Sequence, residues 1–485
     1  MDSHLQSETL MGWIGISLFG LCVFLLIAYA FYQCYLSLSC SAQEKAIHLK
    51  PLPGNAATAD RLEATVTIQI ALYNEGNAVD PLFKSILALD YPKELLEIQL
   101  LDDSTDHSDE INAQWALKLS ASGFKIYHLK RTHREGYKAG ALNEGLKQAS
   151  GEYIAFFDAD FSFSPDWLYR TLQGFTSDQI AAVQTRWVYV NSTKNWITRI
   201  QPLALNHHFI NEHLGREKAD ALTTFNGTAA LWKKSAIESV GGFSTETLTE
   251  DLNLAYRAQL AGFRILYLPN ITAGSELPDS LSAYFSQQFR WNKGAAENFQ
   301  LLRGSLKTLQ LKKKFHALMH LLGSSFYAVT FSFLLIGLSL PFMGLQGVQL
   351  QITELLSNLL LLASLGLGIA LFRADRALHY SSSLLHWALY FTSYLILSAG
   401  MSYRNTRAVL EGHLRKPSTF VRTPKTNHLK RRRSRTIPVI EALIAVLSVF
   451  SAFRAYDTQQ LALLGIPLFT TLAFGWVTIA RLKRS

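Results

Sequence analysis

Apolar positions along this chain follow two regimes. Residues 11–38 are almost continuously apolar, and no charge occurs between Glu8 and Glu44. About 20 apolar residues cross a bilayer, so this stretch predicts a membrane-spanning helix. From about 50 to 314 the apolar runs shorten and alternate with amphipathic stretches. Runs at 66–72, 97–101, 124–129 and 153–157 predict short buried strands. Helical patterns follow near 76–89, 108–120 and 138–148, with another at 252–261. Past Lys314 long apolar segments return at 316–342, 355–372, 377–403, 438–453 and 461–480.

The alternation of strand and helix predicts an α/β domain built on a mostly parallel sheet, with ligands at the carboxyl ends of its strands. Charge then orients the chain in a membrane. The N-terminus carries Asp2 and Glu8 and no Lys or Arg, unlike a cleaved signal peptide, so 11–38 reads as a retained anchor. Residues 404–435 hold eleven Lys or Arg and one acid, Glu411, which predicts that this loop faces the cytoplasm. Parity follows if 377–403, rich in Tyr, Ser, His and Trp, lies in the interface as one helix. The predicted organisation is a first span at 11–38, a cytoplasmic domain at 50–314 and two spans within 316–372. An interfacial helix and basic loop at 377–437 and two last spans within 438–480 complete it. Glu441 inside the fourth span must snorkel or face protein. The net charge of +9 and the basic run 430–435 suggest anionic lipid as a partner and no nucleic acid, since no stacking platform accompanies the run. Cys22, Cys34 and Cys40 lack metal-ligand spacing and read as packing residues.

Polar motifs fall at the predicted strand ends. Tyr73 and Glu75 follow the first strand, Asp102 and Asp103 the second, Asp158 and Asp160 the fourth. One such placement is unremarkable; three argue for one site on one edge of the sheet. Asp158 and Asp160, one residue apart in extended chain, form a hard oxygen pair suited to Mg2+ or Mn2+ beside a diphosphate. Asp102 and Asp103 fit a base or ribose, while Asp106 and Ser108 fit a helix start. Lys138 opens the 138–148 helix, where a cation and free amides favour an anionic group. Asp251, after Thr249 and Glu250, fits a general base taking a proton from an acceptor hydroxyl. Arg290 can hold diphosphate oxygens bidentately, and Trp291 can stack on a sugar face.

In order and spacing, Asp102-Asp103, Asp158-Ala159-Asp160, Thr249-Glu250-Asp251 and Gln287-Gln288-Phe289-Arg290-Trp291 resemble the membrane-integrated family 2 glycosyltransferases. That group includes cellulose, hyaluronan and chitin synthases, the cellulose-synthase-like A mannan synthases and ceramide glucosyltransferase. The resemblance implies a GT-A type, Rossmann-like fold and assigns Asp102, Asp103 and Asp158 to the nucleotide sugar, with Tyr73, Glu75, Lys138 and Arg290. It makes Asp158 and Asp160 the metal aspartates and Asp251 the base. Phe225-Asn226-Gly227-Thr228 resembles the acceptor-proximal loop, joined by Glu250, Gln287 and Trp291. Residues 420–425 resemble a gating loop, which would bring Thr423 and Lys425 to the nucleotide. The expected activity is inverting, metal-dependent transfer of a hexose from a UDP- or GDP-sugar to a growing β-linked polysaccharide. The setting would be a plasma, inner or Golgi membrane. A glycolipid synthase acting on a lipid acceptor is the alternative, and a non-enzymatic membrane subunit is a third reading against which the intact motifs count.

Overall fold

The computed structural model describes residues 2–40, 63–378, 383–417 and 438–482. A long helix α1 (Asp2–Ser39) leads into the α/β unit. Its first half runs β1 (Val66–Leu72), α2 (Asp80–Leu87), β2 (Leu96–Asp102), α3 (Ser108–Ala121), β3 (Lys125–Lys130), α4 (Tyr137–Gln148) and β4 (Tyr153–Asp158). Its second half is β5 (Ser162–Phe163), α5 (Trp167–Leu172), β6 (Ile180–Tyr189), α6 (Trp196–His207), α7 (Gly215–Lys218), β7 (Ala230–Lys233), α8 (Lys234–Ser239), α9 (Glu250–Leu260), β8 (Arg264–Ser275) and α10 (Leu281–Leu302). Seven further helices follow: α11 (Leu311–Leu321), α12 (Phe326–Ser339), α13 (Val348–Ala377), α14 (Leu384–Gly400), α15 (Ser402–His413), α16 (Val439–Asp457) and α17 (Gly465–Leu482).

One eight-stranded sheet organises the α/β unit in the order β3-β2-β1-β4-β7-β6-β8-β5. The first four strands are parallel, and they are the four that the hydropathy pattern marks. β1, β2 and β4 are buried along nearly their whole length because helices cover both faces of a parallel sheet, while the edge strand β3 alternates exposed and half-buried positions. β7 then runs antiparallel to β4 and β6, and β8 returns parallel to β6. Register brings the motifs together. Leu72 pairs with Asp102 and Ala71 with Asp158, so β1, β2 and β4 end level on one edge.

Among the described residues five helices are long and apolar enough to cross a membrane: Leu10–Ser39, Gly323–Phe342, Val348–Ala377, Val439–Asp457 and Leu461–Leu482. α1 packs on α12 through stacked Phe19 and Phe333, with ring centroids 5.1 Å apart, while Phe24 and Phe31 point outward. α14 and α15 meet at a 53° bend. α15 then lies close along α10, where a Cβ on Gly412 would sit 2.5 Å from the Lys293 carbonyl. Glu441 faces protein. It is buried and accepts from Arg404 Nε at 2.7 Å and Arg481 Nη1 at 2.8 Å. Thr423, Lys425 and the rest of the gating-type loop lie outside the described residues.

Candidate active site

The carboxyl edge of the parallel strands opens into a cleft of about 1260 Å³, solvent at its mouth included. Tyr73, Glu75, Asp103, Lys138, Asp158, Asp160, Asn226, Gly227, Glu250, Asp251, Gln287, Arg290 and Trp291 all line it.

Asp102 does not. It is buried and accepts from the Ser104 amide at 2.9 Å, Asn112 Nδ2 at 2.9 Å and His128 Nε2 at 2.9 Å. Burial alone would raise its pKa, but hydrogen bonds from His128, Ser104 and Asn112 outweigh it and bring the carboxyl down to about 2. Asp102 is therefore a brace beneath the strand end, and its neighbour Asp103 is the member that reaches the cleft. The reason is the alternation of an extended chain, which turns consecutive side chains to opposite sides. Arg131 grips Asp103 with Nε at 2.9 Å and with Nη2, and Arg134 Nε lies 3.7 Å away. The Arg134 guanidinium also stacks over the Tyr73 ring at 3.4 Å from its centroid. Tyr73, Asp103 and Arg134 thus form one wall. Sequence reasoning missed Arg131 and Arg134, although the basic run after β3 sits at the same sheet edge as the other motifs.

Phe225 and Thr228 are also absent from the cleft wall. Phe225 is buried against Phe156 and Trp232. The Thr228 hydroxyl accepts the Asp158 amide at 2.9 Å and so fixes the strand end. Between them Asn226 and Gly227 face the space. Gly227 has φ +74°, and a Cβ there would lie 2.7 Å from Asp251 Oδ2. Only glycine suits both the conformation and the contact.

Lys138 sits at the centre. Its Nζ donates to Asp158 Oδ1 at 2.6 Å and to the Gly227 carbonyl at 3.0 Å, and lies 4.0 Å from Glu250 Oε1. Burial alone would lower its pKa, but Asp158 and Glu250 outweigh burial and hold it at about 12. Asp251, at the start of α9, is pushed up to about 7 by burial and then by the Glu250 charge, against the pull of Lys138. A carboxyl poised there can exchange a proton near neutrality.

Gln287, Arg290 and Trp291 come from α10, which Ser280 caps by accepting the Ala283 amide at 3.2 Å. What brings α10 to Asp251 lies further along the same helix. A Cβ on Gly294 would meet Thr249 Oγ1 at 2.4 Å, and Asn298 Nδ2 donates to the Thr249 carbonyl at 3.0 Å and to its hydroxyl at 2.8 Å. Gly294 and Asn298 thus clamp the turn that carries Glu250 and Asp251. No motif marked them.

Seven acidic side chains line the cleft (Glu75, Asp103, Asp158, Asp160, Glu250, Asp251 and Glu276) against three basic ones (Arg134, Lys138 and Arg290). An anionic diphosphate would be repelled by that balance without a further cation. Asp158, with a side chain 38% exposed, and Asp160 offer hard oxygen donors, so the residues present fit Mg2+ or Mn2+. Among the described residues no group of three or more His, Cys, Asp or Glu is arranged to hold a metal by itself. The donor's own phosphate oxygens would have to complete such a site.

Comparison with known proteins places this geometry. Residues 67–241 match the family described as Glycosyl transferase family 2. The Arabidopsis thaliana protein named Probable glucomannan 4-beta-mannosyltransferase 1 is 37% identical over 262 residues, 52% of this chain and 47% of the relative. Glucomannan 4-beta-mannosyltransferase 9 of the same plant is 36% identical over 287 residues, 57% and 53% respectively. The chain spans about half the length of the curated relatives it matches. Among solved structures, the mannosyltransferase of Pyrobaculum calidifontis in complex with GDP-Man and Mn2+ aligns with a TM-score of 0.51 at 20% identity. It covers 82% of this chain and 100% of that one, a likeness of fold. Residues 67–241 therefore match a family 2 glycosyltransferase domain, and the α/β unit that contains them has a GT-A fold whose parallel edge gathers these motifs.

Proposed function

We propose that the chain is a membrane-embedded, inverting hexosyltransferase that extends a β-linked polysaccharide from a nucleotide diphosphate sugar at the cytoplasmic face. The observation that carries this reading is the single cleft in which Asp251, pushed up to about 7, faces Lys138, Asp158, Arg290 and Trp291. The names of the curated relatives support mannosyl units in 4-β linkage, with GDP-mannose the first donor to test.

The chemistry is one displacement. Asp251 takes the proton of the acceptor hydroxyl as its oxygen bonds to the anomeric carbon. The bond from that carbon to the diphosphate oxygen breaks on the opposite face, so configuration inverts. Arg290 meets the diphosphate oxygens as they gain charge, a contact stronger in the transition state than before it. Tyr73, Glu75 and Asp103 hold the nucleoside end. Trp291 and Gln287 orient the acceptor, and Asn226 and Gly227 close its other side. A divalent ion held by Asp158 and Asp160 would offset the charge of the departing nucleotide diphosphate.

The test is nucleotide release by the purified chain with Mg2+ or Mn2+ across GDP- and UDP-sugars, followed by sizing of labelled product. A large product cleaved by a β-mannanase supports the proposal. A small organic-soluble product would replace it with glycolipid synthesis, and no turnover under any donor would count against both.

A further inference from the structure

Asn226 owes its place in the cleft to residues outside every motif. Between α6 and α7 the helix widens into a π turn at His208–Leu214. Such turns are uncommon and cluster at functional sites. Two of its side chains, His208 and His213, converge on Asn226. Asn226 Nδ2 lies 3.2 Å from His213 Nε2, and the Thr224 hydroxyl lies 2.8 Å from the same nitrogen. Burial pushes the His213 pKa well down, so its neutral ring closes one side of a hydrogen-bonded group with Asn226 and Thr224. Asn226 Oδ1 lies 3.2 Å from His208 Nε2 and accepts from the Thr224 hydroxyl at 3.4 Å. The other nitrogen, Nδ1, lies 2.8 Å from Glu212 Oε2. Burial alone would raise Glu212, but the Arg216 and His208 charges outweigh it and hold the carboxyl well below its usual range. His208 thus bridges the Glu212 carboxylate and the Asn226 side chain through its two ring nitrogens. Glu212 is itself tethered, since its Oε1 accepts Gln33 Nε2 of α1 at 3.1 Å.

We infer that His208, fixed by Glu212 on the π turn, is a positioning residue that sets the Asn226 amide for the acceptor sugar, through a chain of hydrogen bonds reaching Gln33 on the first apolar helix. This rests on the reading of the cleft as a glycosyltransferase site and adds a specificity element to it. The Glu212 pair makes the ring's orientation and its donor to Asn226 a single rigid unit.

The experiment uses the full chain in detergent, with His208→Ala, His208→Gln and Glu212→Gln. Binding of β-1,4-mannohexaose is read by tryptophan fluorescence, and KM values for hexaose and GDP-mannose are read separately. His208→Ala is expected to weaken hexaose about tenfold and leave the donor KM within about twofold, the scale of one lost polar contact. His208→Gln, which keeps a donor, restores most of the loss, and Glu212→Gln falls between. Folded variants that bind hexaose like wild type, or that lose donor and acceptor alike, would overturn the inference. If the wild type binds hexaose but turns over no donor, the transferase reading fails while the binding comparison still decides the role of His208. A wild type that does neither overturns both.

Discussion

Gly227 and Asp251 are in contact across the cleft: a Cβ on the glycine would sit 2.7 Å from Asp251 Oδ2. The same glycine offers its carbonyl to Lys138 Nζ at 3.0 Å. One backbone position therefore sets the distance between the proposed base and the cation of the donor side. Gly227→Ala adds strain at φ +74° and displaces Asp251. Expected are a loss of kcat of at least about 100-fold and a modest fall in thermal stability, because small displacements at a reacting centre cost rate steeply. Steady-state kinetics on the folded variant check this.

Asp251→Asn removes the proposed base and should abolish turnover while nucleotide binding by calorimetry survives. The wild-type rate should rise with pH through about 7 as Asp251 ionises. Stability moves the other way. The folded carboxyl holds its proton up to about 7 and the unfolded one only to about 4, so the folded state binds more protons between those values. Stability therefore falls as pH rises across that window. Above it, Asp251→Asn should be the more stable protein by on the order of 2–4 kcal/mol, read as a higher midpoint in thermal unfolding at pH 8. Equal midpoints would refute the buried carboxyl.

Asp102 and Asp103 should separate by phenotype. Asp102→Ala leaves the Ser104, Asn112 and His128 donors unpaired and is expected to cost about 2–3 kcal/mol of stability. The wild-type carboxyl is held at about 2, so its contribution is present above about 4 and disappears as pH falls toward 2. Asp103→Ala should raise the donor KM, with a stability loss of its own because Arg131 and Arg134 lose their carboxylate partner. Thermal melts and kinetics on the pair decide between the roles.

Lys138→Gln removes the partner of Asp158 at 2.6 Å. Less positive charge beside the proposed metal aspartates should tighten Mn2+ binding, measured by electron paramagnetic resonance, while kcat falls about 10- to 100-fold for want of a donor to the diphosphate. Unchanged Mn2+ affinity would separate Lys138 from the metal.

Glu441→Gln leaves Arg404 and Arg481 facing each other without their shared carboxylate. Breaking one partner of a buried ionic group costs about 3–5 kcal/mol. The detergent-solubilised variant should unfold at a clearly lower temperature, and Glu441→Asp should recover part of the loss.

The parallel half of the sheet was legible because each strand is a run of apolar residues bounded by polar punctuation. β1, β2 and β4 are buried on both faces, and burial leaves its mark in composition. β7 has only four residues, and its place between β4 and β6 comes from antiparallel pairing with chain far away in sequence. No local pattern carries that information. The apolar stretches after Lys314 stood out by length and hydropathy, but the division of 316–342 into α11 and α12 and the separate α15 did not.

Residue types at the strand ends were also written in the chain: acidic pairs after β2 and β4, Asp251 before α9, and Arg290 and Trp291 along α10. Which of them meet was not. Alternation along the extended backbone, combined with the register of β2 against β1, turned Asp103 into the cleft and Asp102 into the protein. The loop 225–228 split in the same way, with Asn226 and Gly227 facing the cleft and Phe225 and Thr228 holding it from behind. Lys138 meets a carbonyl 89 residues away, and the clamp of Gly294 and Asn298 on Thr249 joins elements with no shared motif. Sequence by itself determined the chemistry available, because side-chain identity and hydropathy are local properties. Only the tertiary structure decided which groups touch, because contact depends on register and packing between segments that the chain keeps far apart.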